Sequence, residues 1–189
     1  MDDWKVVIPT RNDCPETLRA LVGIIGAEHV VIVHTTDASR SPNVDGCGNI
    51  RYEGELNIQS WWKAGIEAAG ARYIALINDD VELDWNVVPA MVAACSESEQ
   101  SLARLQGPGF CPTGALFVID TAHGLVPDVG FRWWWGDDDL YRQAEQRNGI
   151  IDIPVTGVRH KDDKDYHLNP MFTDIIAADR ERYRKKWLE

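Results

Sequence analysis

Two acidic clusters, each following an apolar run, carry the groups in this chain best suited to chemistry. Tyr73-Ile74-Ala75-Leu76-Ile77 leads into Asn78-Asp79-Asp80-Val81, and Phe131-Arg132-Trp133-Trp134-Trp135-Gly136 leads into Asp137-Asp138-Asp139-Leu140. Adjacent carboxylates repel one another, so a pair held where a buried strand ends calls for a positive partner. A divalent cation carrying a diphosphate supplies that charge, and carboxylate oxygens suit Mg2+ or Mn2+. Asp80 is the expected metal ligand; the competing reading is that Asp79 and Asp80 cap a loop or the next helix. His160, in Thr156-Gly157-Val158-Arg159-His160, can complete a Mn2+ site, and His167 competes for that role.

The second cluster has tryptophans before it. Indole faces offer flat platforms for sugar rings, and a nearby carboxylate can take a proton from a hydroxyl. The alternative is that the tryptophans are core and the aspartates cap a helix. Three consecutive aspartates exceed what one cap needs. Read as a strand, Trp133 to Trp135 would alternate faces, leaving at least one in the core.

Several elements have to position these groups. Trp4 to Pro9 reads as a first strand, Pro15 to Ile25 as a helix ended by Gly26, and His29 to His34 as a second strand. A polar loop spans Thr35 to about Gly48, and Ile50 to Tyr52 forms a short strand. Asn57 to Ala69 is helical, with Ile58, Trp61, Trp62, Gly65 and Ile66 inward. Tyr73 to Ile77 is apolar throughout, as expected of a strand covered on both faces. Asp84 would cap a helix reaching about Cys95, with a polar turn from Ser96 to Gln100. Further on, Gly114 to Ile119 and Ile151 to Val155 read as strands, and Asp137 to Arg147 and Thr173 to Leu188 as helices. Alternation of strand and helix predicts an α/β domain with a mainly parallel central sheet flanked by helices. Nothing divides the chain, so residues 1–189 are expected to form one domain, with residues 161–189 as a loop and final helix. In such a sheet ligands sit beyond the carboxyl ends of the strands. Pro9-Thr10-Arg11-Asn12-Asp13, Thr35-Thr36-Asp37 and Asn78-Asp79-Asp80 all lie at such ends.

Composition narrows the partners. The chain has 189 residues and a formal net charge of -11, which argues against nucleic acid. No apolar run is long enough to cross a bilayer, and the first residues lack a signal-peptide pattern. The cysteines Cys14, Cys47, Cys95 and Cys111 are scattered and are expected to be reduced thiols in a cytoplasmic protein. The basic stretch from Arg180 to Leu188 reads as a solvated helix face, or as a contact with an anionic membrane or a partner.

Taken in order, Val6-Val7-Ile8-Pro9-Thr10-Arg11-Asn12, Leu76 to Leu83, Thr113-Gly114-Ala115-Leu116-Phe117-Val118 and Trp135 to Arg142 resemble the inverting nucleotide-sugar glycosyltransferases of family two. The resemblance implies a GT-A (Rossmann-like) fold and hexosyl transfer from a nucleoside-diphosphate sugar to an acceptor hydroxyl. It implies Mn2+ or Mg2+ bound by Asp80 and His160. It also implies donor contacts from Pro9, Thr10, Arg11, Asp37, Lys63, Asn78 and Asp79, and acceptor contacts from Trp134, Trp135 and Gly114. The general base falls on Asp137, with Asp138 the near rival. Three positions depart from the family pattern: Asn78 replaces the first carboxylate of the DxD motif, Gly136 stands where Glu is usual, and Lys63 stands where many members have Asn. Two other classes fit less well. A nucleotidyltransferase would want a glycine-rich basic loop after the first strand, and a non-catalytic nucleotide- or sugar-binding module would have an incomplete metal motif.

Overall fold

The computed structural model describes residues 3–35, 42, 44–106, 114–154, 156–161 and 170–189. Its centre is a sheet of seven strands: β1 (Trp4–Thr10), β2 (Val30–Thr35), β3 (Gly48–Tyr52), β4 (Tyr73–Ile77), β6 (Leu102–Gln106), β7 (Leu116–Asp120) and β8 (Ile150–Pro154). A separate two-stranded ribbon pairs β5 (Val81–Leu83) with β9 (Val158–His160). The helices are α1 (Pro15–Ile25), α2 (Ile58–Ala69), α3 (Val87–Ser98), α4 (Gly136–Glu145) and α5 (Pro170–Trp187).

The order across the large sheet is β3-β2-β1-β4-β7-β6-β8. Only β7 runs against the rest; it is antiparallel to both β4 and β6. The expected mixed α/β architecture with a mainly parallel sheet therefore holds. Every residue of β4 and of β7 is buried, because helices cover both faces. One apolar layer gathers Leu18, Leu21, Met91 and Val92 against Val6, Ile8 and Ile77. The other gathers Trp61, Trp62, Leu140 and Tyr141 against Val7, Leu76 and Phe117. α2 lies close on its layer: a Cβ at Gly65 would stand 2.3 Å from Val7 Cγ1. Asn57 caps this helix, its side chain accepting from Ser60 N at 2.9 Å.

Four expectations need correction. The tryptophan run is not a strand; residues 131–135 form an irregular loop with no ladder, so alternation of faces does not govern it. α3 starts at Val87, later than expected, and runs on to Ser98 through the supposed polar turn. Asp84 does not cap it with its side chain; the Asp84 carbonyl accepts from Val87 N at 3.1 Å. Strand β6 was not anticipated, and neither was the ribbon. Leu102–Gln106 carries Arg104 in its middle, and β5 and β9 have 3 residues each, too few to show a period.

Candidate functional site

The β4 strand ends at Ile77 and delivers Asn78, Asp79 and Asp80 at its carboxyl end. Asn78 N donates to Ala115 O at 3.0 Å, which ties this turn to the entrance of β7. Pro9 and Thr10 close the neighbouring strand β1 and are buried. The Thr10 hydroxyl donates to Asp79 Oδ2 and accepts from Asn12 N at 2.7 Å. Burial pushes the Asp79 carboxyl up to about 6; the Thr10 bond opposes this, and the charges of Asp80 and Asp13 add to it. Arg11, part-exposed, pairs with Asp13 at 3.3 Å.

Asp80 opens the ribbon. Its carbonyl accepts from Lys161 N at 3.0 Å, and the ladder sets Val81 opposite His160. That register brings His160 Nε2 to 3.2 Å from Asp80 Oδ2. Asp80 Oδ1 is buried with no hydrogen-bond partner. A buried acceptor left unmet costs roughly 1–3 kcal/mol, and a cation would meet it. One carboxylate and one imidazole suit Mn2+ and leave coordination positions for water and phosphate oxygens, so these residues fit a divalent ion. Among the described residues no cluster of three or more His, Cys, Asp or Glu is gathered as a metal site.

The second acidic cluster opens α4. Its three aspartates have different surroundings. Asp137 is buried, and burial pushes its carboxyl up to about 7, with the charge of Asp138 adding to the rise. Asp138 is also raised by burial, while Arg142 and Arg104 pull it down. Asp139 is fully enclosed: it accepts from Trp187 Nε1 at 2.7 Å and Gln143 Nε2 at 2.8 Å, and Lys186 Nζ stands 2.7 Å away. Asp139 is thus an anchor for α5.

The two clusters meet at one edge of the sheet. Gly114 has φ +74, and a Cβ there would stand 3.3 Å from Asp137 Oδ2. Gly114 directly precedes Ala115, the residue bonded to Asn78. One short segment at the entrance to β7 therefore touches the turn after β4 on one side and Asp137 on the other. The tryptophans flank this edge, all part-buried: Trp133 packs on Phe172 at 4.8 Å and Trp135 on Tyr183 at 5.0 Å between ring centroids. Trp135 has the left-handed φ of 65° that turns the chain into α4.

Lys63 is exposed on α2. Asp37 and His167 lie outside the described residues.

No family model matches the sequence and no curated protein matches it. Solved structures do match. Glucosyl-3-phosphoglycerate synthase from Mycobacterium tuberculosis, in complex with Mn2+, UDP and phosphoglyceric acid, aligns with a TM-score of 0.75 at 12% identity over 95% of this chain and 78% of its own. A complex of the same enzyme with Mn2+, UDP-glucose and phosphoglyceric acid gives 0.74 at 14% identity, over 95% of this chain and 79% of its own. S. aureus TarS 1-349 gives 0.64 at 10% identity over 97% of this chain and 72% of its own. The chain shares their fold. A longer S. aureus TarS structure is covered over only 36% of its length.

Sequence reasoning missed Asp179. This α5 carboxylate is 2% exposed and accepts from three successive backbone N–H groups, Arg132 at 3.0 Å, Trp133 at 2.8 Å and Trp134 at 2.9 Å. It holds the tryptophan loop in shape. A signal existed: Phe172, Ile176, Asp179 and Tyr183 recur at helical spacing, so a carboxylate stands on the inner stripe of α5. Gln59 was missed too. It is 1% exposed and sits over Gly136, the first residue of α4.

Proposed function

We propose that this chain is a metal-dependent, inverting glycosyltransferase of the GT-A type, formed by residues 1–189 as one domain. It would move a hexosyl group from a nucleoside-diphosphate sugar to an acceptor hydroxyl. The observation that carries the reading is the meeting of the two acidic clusters through Asn78, Ala115 and Gly114. The shared fold supports it, because glucosyl-3-phosphoglycerate synthase has been solved with Mn2+, UDP-glucose and phosphoglyceric acid.

Asp80 and His160 would hold Mn2+ or Mg2+. A cation bound there supplies charge that neutralises the diphosphate and favours its departure. Asn78, Asp79, Pro9, Thr10, Arg11, Asp37 and Lys63 would line the donor. Gly114, Trp134 and Trp135 would face the acceptor. Asp137 would take the proton from the acceptor hydroxyl, whose oxygen attacks the anomeric carbon opposite the diphosphate and inverts it. A carboxyl titrating at about 7 is matched to that task, because it is largely ionised just above neutrality yet basic enough to pull a proton. Asp138 is the alternative base. Its higher exposure and its Arg142 and Arg104 neighbours make it the weaker base of the two.

The replacement of the first DxD carboxylate by Asn78 favours a second reading, a module that binds donor without turning it over. One experiment separates the two. UDP-glucose and Mn2+ are incubated with the protein over an acceptor panel, and UDP release and the anomeric configuration of the product are followed. Glycoside of inverted configuration supports the transferase. Stabilisation by UDP and Mn2+ without release across the panel favours the module, and no response to any nucleoside diphosphate overturns both.

A further inference from the structure

Helix α4 begins at Gly136, and the space a side chain would need there is already taken. A Cβ built on Gly136 would stand 1.9 Å from Gln59 Nε2 and 2.1 Å from Gln59 Cδ. Gln59 comes from the first turn of α2, more than seventy residues earlier in the chain. It cannot simply swing aside, because it is 1% exposed. Its Oε1 is buried with no hydrogen-bond partner, a condition that weakens a fold. An aliphatic side chain of the same length would fill the space without that penalty, so stability alone does not account for glutamine here. The next residue after Gly136 is Asp137, and the same α2 terminus holds the approach to α4. Ile58 N donates to Arg132 O at 2.8 Å, and Asn57 Nδ2 donates to Val129 O at 2.8 Å.

We infer that Gln59 is a positioning residue for Asp137: its amide, seated over Gly136, fixes the first turn of α4 and keeps the Asp137 carboxyl in its enclosed setting. Gln59 and Gly136 form a matched pair, and the polar end of Gln59 is set against the opening of α4. The inference gives a residue to the acid–base step of the proposed transfer and rests on that reading for its catalytic meaning. The titratable groups that interact with Asp137 are Asp138 and Tyr141 on α4, and Arg104 of β6 acts in turn on those two.

The test uses the full chain with Gln59→Ala, Gln59→Leu, Gly136→Ala and the double variant Gln59→Ala/Gly136→Ala. The Asp137 carboxyl is titrated by carbon NMR, and melting temperature, UDP affinity with Mn2+ and UDP release from UDP-glucose are measured alongside. In Gln59→Ala, water reaches the first turn of α4 and the Asp137 titration falls by a unit or more, at least a tenfold loss of proton affinity. UDP release drops at least tenfold, with UDP affinity within twofold of wild type. Gln59→Leu melts no lower than wild type yet loses release. Gly136→Ala alone lowers the melting temperature, and adding Gln59→Ala restores most of the loss. An unmoved Asp137 titration in Gln59→Ala, or additive losses in the double variant, overturns the inference. Wild-type protein that releases no UDP overturns the transferase reading, while the titration and the double variant still decide the pairing.

Discussion

A buried carboxyl that keeps its proton to about neutral pH makes activity and stability respond to pH in opposite directions. Asp137 titrates at about 7, well above an ordinary aspartate, with burial the main cause and Asp138 the second. As the proposed base it must be ionised, so transfer is expected to fall about tenfold per unit as pH drops below 7. In stability the sign reverses. Between about pH 4 and 7 the folded chain binds a proton at this site that the unfolded chain has lost, so stability declines as pH rises through that window. Asp137→Asn is therefore expected to raise the melting temperature at pH 8, with the gain vanishing near pH 4, while transfer falls by about two to four orders of magnitude and UDP binding persists. Thermal scans at the two pH values, beside a turnover assay, check this. Full transfer by the variant would move the base to Asp138. At the other cluster, Asp80→Ala and His160→Ala should each remove the rise in melting temperature that Mn2+ with UDP gives the wild type. That rise corresponds to about 2.7 kcal/mol when ligand stands at about a hundred times its dissociation constant. Equal stabilisation of either variant would take that residue out of the metal site.

Elements decide whether those residues meet. Asp179 gathers the N–H groups of Arg132, Trp133 and Trp134, and Trp187 and Lys186 grip Asp139 two turns further along α5. Asp179→Ala leaves three amide donors without their acceptor and is expected to cost about 3 kcal/mol or more. It should also shift tryptophan emission to the red as the loop opens. Denaturant unfolding and a fluorescence spectrum test both, and an unchanged midpoint would show that the loop holds itself. Two basic residues of α5 tie it to the rest of the fold, and two more pair along its exposed face. Arg182 and Lys186 pair with Asp128 at 2.9 Å, and Arg184 and Lys185 pair with Glu181. The stretch from Arg180 to Leu188 is thus largely a solvated helix face, with Arg182 and Lys186 turned to Asp128. Distance along the chain explains what the sequence concealed. The first strand, α1, α2 and β4 announce themselves through apolar spacing and end signals such as Pro15 and Gly26. The ribbon that sets His160 beside Asp80 does not, because 3-residue strands have no period and their pairing is made across more than seventy residues. The tryptophan run misled because a stretch of aromatic residues was assigned a ladder. Its backbone amides go to a carboxylate on a distant helix, and no local pattern encodes that choice.

On the scale of the whole molecule, charge is the governing quantity. A formal net charge of -11, with Asp79, Asp80, Asp137 and Asp138 at the proposed site, disfavours a nucleoside diphosphate. UDP without a divalent ion should therefore bind weakly at low ionic strength and more tightly as salt screens the repulsion. With Mn2+ present the dependence should flatten or reverse. Titrations at about 10 and 200 mM salt test this, and tight metal-free binding at low salt would show that cationic side chains such as Arg11 and Lys63 outweigh the carboxylates. Among the described residues no helix is long and apolar enough to cross a membrane.

The part played by α5 has a consequence for how the molecule comes into being on the ribosome. Strands β1 to β4 can pair as soon as they emerge, so the strand ends that carry Thr10 and Asp80 are available early. The tryptophan loop and the buried end of Asp139 wait for residues 179–187, which are made last of the segments described. Nascent chains stalled before that point should already protect the carboxyl end of β4 from proteolysis while the loop at 131–135 is still cut.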